Sequence, residues 1–444
     1  MRRFVPVVAV ALVLTCAPTA IPRQDGGSPT TSAAPIGSND IITLREGGQR
    51  TALVALVVRK VANGEALRTL PDGLLLPDGA RILALEADGG STVVKKIDRR
   101  TGKTDASQTI DGAWQFYLGM GSFRGASPDG THVVLFGSSY NFTDQGGKWT
   151  ARTTFGVLDV AALRVDPIEL DGRYGLDGVS NDGRLVYLIE YSPTQLPTDS
   201  RLRVYDMTTH KLQAVAGDAP SLGEAYRKAY IGSFSFALMS STESIRPSPD
   251  VIQVTAVTKL VRLDLSSGAI RVLRLPISRA LTGEDSFMWS LVPSRDQTML
   301  YVVNPAAGAA YEIDRVSLEI RRSAQMTVVK SERGLLDATL AYLHPLAHAK
   351  MGFGNPAVLS PDGSTLYVLA AQGVWSFDLT AFSAKLLTRE GAYETVAISP
   401  DGARLYVLGR EYGIVIAIDA RNGKVLGSMP RIAFLSEIVA VDAG

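Results

Sequence analysis

Two turn signals alternate along this chain, and their order constrains the fold more than any other property. The first is a Pro-Asp-Gly-like turn: Pro77-Asp78-Gly79, Ser127-Pro128-Asp129-Gly130, Ser180-Asn181-Asp182-Gly183, Ser248-Pro249-Asp250, Pro293-Ser294-Arg295-Asp296, Ser360-Pro361-Asp362-Gly363 and Ser399-Pro400-Asp401-Gly402. Proline presets φ, aspartate bonds its own backbone and glycine accepts positive φ. The second is an apolar residue followed by aspartate: Ile97-Asp98, Leu158-Asp159, Tyr205-Asp206, Leu263-Asp264, Ile313-Asp314, Phe377-Asp378 and Ile418-Asp419. These aspartates read as turn-formers, not catalysts.

Between the signals lie short β-type runs such as Leu405-Tyr406-Val407-Leu408, and helical periodicity is absent. Each unit therefore reads as strand a, a Pro-Asp-Gly turn, strand b, a loop, strand c ending in Asp, a short turn and strand d. Seven such units spaced 39 to 68 residues apart predict an all-β chain, a β-propeller of four-stranded blades. Sequence is left over at both ends. Ser436 to Val441 reads as a strand a, and Ile41 to Leu44, Thr51 to Val58 and Ala66 to Leu70 read as strands b, c and d. Together they form a split closing blade, with Val58-Arg59 where the aspartate signal would fall. The expectation is eight blades; seven is the alternative.

Residues Val396 to Lys424 and Ala357 to Ser376 carry the pattern most fully, and tyrosine falls five residues after the turn Asp at Tyr187, Tyr301, Tyr367 and Tyr406. With Tyr301-Val302-Val303-Asn304, these residues make the chain resemble the bacterial, exported YVTN-type β-propeller repeat family over about residues 71 to 430. The resemblance implies a WD40-like repeat propeller. It points less sharply to function, because such propellers serve as binding modules, enzymes and surface proteins.

Met1-Arg2-Arg3 and the apolar run Phe4 to Leu14 have the anatomy of an export signal, too short for a membrane span. Cys16, the only cysteine, follows the run and resembles a bacterial lipoprotein cysteine that would take the lipid. Cleavage after Ala20 with plain secretion, or an uncleaved anchor, are the alternatives. The domain reading is residues 1–16 signal peptide, 17–40 flexible tether and 41–444 propeller. The protein is expected at the cell envelope, touching membrane only through its N-terminus.

Lys plus Arg number 45 and Asp plus Glu 44, so no basic excess marks a nucleic-acid binder. No Gly-rich phosphate loop and no Gly-x-Ser-x-Gly elbow occur. His344 and His348 lie four apart without a third ligand nearby, and His132 and His210 fall at short turns. No catalytic residue, metal or cofactor is therefore assigned. Trp114, Trp289 and Trp375 fall in or beside strands and read as core.

In a four-stranded meander the a–b and c–d turns share one end, and the b–c and d–a connections share the other. The long segments (Gly137 to Ala151, Tyr191 to Ser200, Gly217 to Ser233, Ile277 to Ser286 and Ser323 to Asn355) are b–c or d–a connections. Elaborated loops on a rigid scaffold are where binding concentrates. Trp149, Tyr191, Glu224, Asp285 and His348 sample these segments and are the candidate binding residues. Loop acids such as Glu190 and Glu394 could also serve acid–base chemistry or calcium. The function expected is a monomeric, non-enzymatic module holding a protein, peptide or glycan on that face. The alternative implied by the resemblance is a lactonase-like hydrolase with its site at the mouth of the central channel.

Overall fold

The architecture follows from how the two signals satisfy the backbone. At Ser360-Pro361-Asp362-Gly363, the Ser360 hydroxyl donates to Asp362 at 2.6 Å and accepts the Thr365 N–H at 2.9 Å. The same pair of bonds recurs at Ser127, Ser180, Ser294 and Ser399. The second aspartate accepts backbone N–H groups from the turn that follows, as Asp419 does from Arg421 and Asn422. The next residue then donates its N–H to the a–b turn of the same blade: Ala420 to Ala403 at 3.0 Å, Leu379 to Ser364 at 2.9 Å and Arg99 to Ala80 at 2.8 Å. This bond is present in every blade and holds both short turns at one end of the sheet.

The computed structural model describes residues 36–47, 54–117, 125–137, 152–191, 200–215, 227–248, 251–277, 289–326, 356–370, 373–389, 393–409, 413–432 and 435–444. These residues form eight four-stranded antiparallel sheets, the blades of a β-propeller. Blade one is the split blade: its inner strand is Leu435–Asp442, followed outward by Ile41–Gly47, Val54–Lys60 and Ala66–Pro71. The eight-blade expectation and its split closure hold. Packing begins before the first strand, since Ile36 is buried and the Tyr406 hydroxyl bonds Ser38 and Asp40.

Eight apolar clusters stand at eight seams between neighbouring blades. Leu56, Val58, Ile82 and Ile97 join blades one and two, and Ile42, Leu44, Tyr406 and Val415 join blades one and eight, so the ring is closed. The outermost strands bury little, as the largely exposed Thr104–Asp111 shows. The seams are also stapled by polar side chains at the short-turn end. Tyr187 donates to the Leu265 carbonyl at 3.1 Å, so the recurring tyrosine there reaches the next blade's turn. Arg99 joins blade two to Asp442 at 2.8 Å and to Thr43 at 2.9 Å.

Two sequence readings need correction. Ser248-Pro249-Asp250 is not an a–b turn. Phe234–Ser248 and Val251–Asp264 are strands b and c of blade five, paired from Phe234 with Asp264 to Ser248 with Val251, so that triplet belongs to a b–c connection. The a–b turn of blade five is Ile231 to Phe234, where Gly232 adopts φ 61°. Strand pairing here runs for 15 and 14 residues, far longer than in the other blades, so the Ser248–Val251 pair stands at the end opposite the a–b turn. In blade one, the Lys60 N–H bonds Glu65 O and the Val61 N–H bonds Asp40 O. Arg59-Lys60, not Val58-Arg59, therefore occupies the aspartate position.

The turn aspartates make the ring acid-sensitive. The Ser317 backbone N–H, helped by that of Val316 and by Arg321, holds Asp314 at about 2; the Ser360 hydroxyl and the Ser364 N–H do the same for Asp362. Folded-state values below the ordinary 3.8 mean that the charged forms stabilise the fold above that value. That stabilisation is lost as pH falls from about 4 towards 2. Fluorescence of the buried tryptophans followed against pH should show cooperative loss of structure in this window. A transition already complete above about pH 5 would assign acid lability to other groups.

Candidate functional site

The inner strands carry the site. Arg173–Val179 is the inner strand of blade four, and its register slips between Leu176 and Gly178, leaving Asp177 as the extra residue of a bulge. Bulges re-aim a side chain out of the regular alternation. Asp177 is buried, its side chain 1% exposed. One carboxylate oxygen pairs with Lys228 of the blade-five inner strand (Arg227–Ile231). Its backbone carbonyl accepts the Tyr230 hydroxyl at 2.9 Å. Its second carboxylate oxygen, Oδ2, has no hydrogen-bond partner.

Two further tyrosines complete the cluster. Tyr117 follows the blade-three inner strand Trp114–Phe116, and Tyr191 ends strand b of blade four (Leu185–Tyr191); their hydroxyls are hydrogen-bonded to each other. Blades three, four and five thus meet around Asp177. Burial pushes the Tyr117, Tyr191 and Tyr230 phenols up, so all three stay neutral and protonated. The Arg173 guanidinium lies over the Tyr191 ring, 4.9 Å from its centroid.

Glycines on both sides of Asp177 let neighbouring side chains approach closely. A Cβ on Gly175 would stand 2.9 Å from the Tyr191 hydroxyl and 3.0 Å from that of Tyr117. A Cβ on Gly178 would stand 2.9 Å from Leu265. The Gly175-Leu176-Asp177-Gly178 run is thus shaped around its neighbours. Arg173 and Tyr191 lie at the end of blade four where the long connections join, and the Tyr191 side chain extends from there towards Asp177.

Unsatisfied polar atoms recur along the inner strands. Ser290 Oγ, Thr395 Oγ1 and the Trp289 indole N–H are also buried without partners. Ser290 and Thr395 belong to the inner strands of blades six and eight (Ser290–Pro293 and Tyr393–Ile398), and Trp289 directly precedes the former. Native interiors leave few such groups unsatisfied. Arg68, Arg262 and Trp375 carry further unsatisfied nitrogens on outer or third strands, so such atoms are not confined to the axis.

Of the residues proposed from sequence, Tyr191 takes part in this cluster at the expected end of its blade. Trp149, Glu224, Asp285, His348 and the lipidation candidate Cys16 lie outside the described residues, as does His344. The strands flanking the long connections all end on one face, opposite the a–b turns, so the strand phase is right outside blade five. Glu190 is engaged by Arg203 at 2.7 Å. His132 and His210 stand at short turns as expected, and Trp114, Trp289 and Trp375 are buried. No group of three metal-ligating side chains occurs among the described residues. Asp177 and Lys228 escaped the sequence reading because it sought carboxylates in loops. The available signal was an aspartate between glycines within a predicted strand.

A separate groove of about 430 Å³ opens on the short-turn face between blades two and three, lined by Pro77, Arg81, Lys96, Asp129, His132 and Asp159. It lies among the turn aspartates already accounted for by backbone bonding.

No family model matches the chain, and no curated protein matches it. Solved structures similar to it include apo AztD from Citrobacter koseri, 12% identical over 91% of this chain and 97% of that one, with a TM-score of 0.48. A second AztD structure from the same organism is 11% identical with the same coverage and a TM-score of 0.49. Dipeptidyl peptidase 4 from Porphyromonas gingivalis is 13% identical over 80% of this chain and 52% of that one, with a TM-score of 0.45.

Proposed function

We propose that this YVTN-like propeller is a non-enzymatic binding module of the cell envelope. It holds its protein, peptide or glycan partner on the face formed by the b–c and d–a connections. One observation carries the reading: the short turns are bonded to each other on one face, and every long connection leaves from the other. On that second face the blade-five hairpin runs on from Met239 and Lys259 to Ser248 and Val251 as a two-stranded ribbon. At roughly 3.3 Å per residue, its strands of about ten and eight residues reach some 25 to 30 Å beyond the blade. Rigid scaffold below and elaborated segments above is the usual division of labour in binding proteins. The Arg173–Tyr191–Asp177 cluster lies on the way down from the same face.

The test is in-cell photo-crosslinking. A photoreactive residue at positions 149, 224, 285 or 348 is expected to capture a partner, while the same residue at Asp78, Asp362 or Asp401 captures none. A thermal melt of each variant checks folding, because Asp362 and Asp401 accept hydroxyl and backbone N–H bonds within their turns. Equal capture from both faces, or capture only from the short-turn face, would sink the reading.

A further inference from the structure

We propose that the groove between blades two and three on the short-turn face binds a free apolar α-amino acid, held as the zwitterion. The inference goes beyond the partner face described above and concerns the opposite end of the ring, so either can fail without the other. Its starting point is how the seams are closed. In blade four, Tyr187 pairs across the ladder with Val204, and its hydroxyl reaches the Leu265 carbonyl that follows the turn aspartate of blade five. Counted from the residue opposite the turn aspartate, the same position in blade two is Leu83, and its cross-strand partner is Lys96. No phenol fills that seam. The Lys96 ammonium donates instead, to the Val160 carbonyl that follows Asp159 in blade three, at 3.3 Å. Blade five makes the same exchange, with Phe236 opposite Arg262. There the guanidinium lies over the Phe234 ring and bonds the Arg315 and Val316 carbonyls, so it fills its seam. The slimmer lysine stands beside the open groove of about 430 Å³, a volume within the range of small-ligand sites.

The groove holds charges of both signs that do not neutralise one another. Arg81 is met by Asp78 at 3.3 Å and by Asp105 at 3.4 Å. Lys96 is half-buried and has no ion-pair partner among the described residues; the Val160 carbonyl takes one of its three N–H donors. Asp129 and Asp159 line the same groove, and each spends only Oδ1 on its turn. Asp129 Oδ1 accepts the Ser127 hydroxyl and the Thr131 N–H, and Asp159 Oδ1 accepts the Ala161 and Ala162 N–H groups. Among the described residues, neither Oδ2 accepts a hydrogen bond. Leu76, Pro77 and Val160 add apolar wall. A lone anion in this groove would meet two carboxylates, and a lone cation would meet an ammonium. A zwitterion adds no net charge. It can offer its carboxylate to Lys96, its ammonium to Asp129 and Asp159, and its side chain to the apolar wall.

The experiment is calorimetric titration of the full-length protein with glycine, alanine, valine and leucine. Leucinamide, which lacks the negative charge, and N-acetylleucine, which lacks the positive one, are the controls. Leucine should bind saturably at one site per chain. Affinity should rise from glycine to leucine, by up to about fourfold for each methylene buried. Leucinamide and N-acetylleucine should each bind at least about tenfold more weakly than leucine, the loss expected for a charge-assisted hydrogen bond. Lys96→Met should weaken leucine binding about tenfold and abolish its preference over leucinamide, while leaving the preference over N-acetylleucine. Asp129→Asn with Asp159→Asn, which keeps both turn acceptors, should do the converse. A change that merely loosened the seam would weaken all three ligands alike. If the double variant fails to fold, Lys96→Met decides alone. No saturable binding by any amino acid, equal binding of either control by the parent protein, or an unchanged preference over leucinamide in Lys96→Met would each overturn the proposal.

Discussion

Deleting residues 436–444 should convert a soluble protein into an aggregating one. Those residues supply nearly all of the inner strand of blade one, paired with Ile41–Gly47 along most of its length. Removing them bares the inner edge of that sheet, a template for pairing with other chains. Ile438, buried in the seam between blades one and eight, loses about 1.5–3 kcal/mol of burial. Arg99, whose side chain is 5% exposed, loses Asp442; stripping one partner from a buried pair costs about 3–5 kcal/mol. Arg45 loses Glu437, 2.9 Å away. Against a total stability of about 5–15 kcal/mol, the sum is a large fraction. Thermal melts and size-exclusion profiles of the truncated and full chains test it. Asp442→Asn, which keeps the strand and removes only the charge, should reproduce the Arg99 part without exposing the edge. A truncated chain as soluble and heat-stable as the parent would mean that the ring is not closed by its C-terminal strand.

That closure was legible because strand closure is written in local signals. The a–b and c–d turns need particular residues at particular backbone angles, and those residues appear in the sequence wherever the turns do. Eight blades could be counted because seven units were marked and the leftover strands had the right order. Blade five shows the limit. Its b–c hairpin uses Ser248 to Val251 and its a–b turn uses Gly232, and proline with aspartate marks a turn without saying which turn. Strand length decides that, and length depends on pairing between residues as far apart as Phe234 and Asp264.

The site was less legible, for a different physical reason. Asp177 differs from the turn aspartates only in what surrounds it, and its surroundings come from three blades. Tyr117, Tyr191 and Lys228 are spread over more than a hundred residues of sequence and meet only after the ring forms. The bulge that places Asp177 is a register slip relative to Leu188 and Tyr187, a relation between strands that one strand's sequence does not contain. Tyr191 was found because it marks the end of a strand beside a long connection. The carboxylate beneath it was not.

The same division between local and tertiary information predicts two very different outcomes for glycines that look alike in sequence. Gly363 closes an a–b turn and Gly423 a c–d turn, and both adopt φ 76°. Replacing either by alanine incurs the left-handed strain of an L-residue, about 1–2 kcal/mol. At Gly363 little else happens: the nearest atom to a new Cβ is Arg295 Cβ at 3.6 Å, an ordinary contact. At Gly423 the Cβ would stand 2.0 Å from the Leu387 carbonyl oxygen and 2.7 Å from its carbon. Leu387 lies in the outer strand of blade seven, Ser383–Thr388, as the extra residue of a bulge between the paired Leu386 and Thr388, so the collision is with backbone fixed on both sides. Overpacking of that kind adds about 1–3 kcal/mol or more, because a strand of one blade must shift away from the turn of the next. Gly423→Ala is therefore expected to lose about 2–5 kcal/mol and Gly363→Ala about 1–2 kcal/mol, measured by urea denaturation of the two variants side by side. Because the two backbone strains are equal, the difference reads the contact between blades seven and eight directly. Equal losses would mean that the seam is looser than the distance from Leu387 implies.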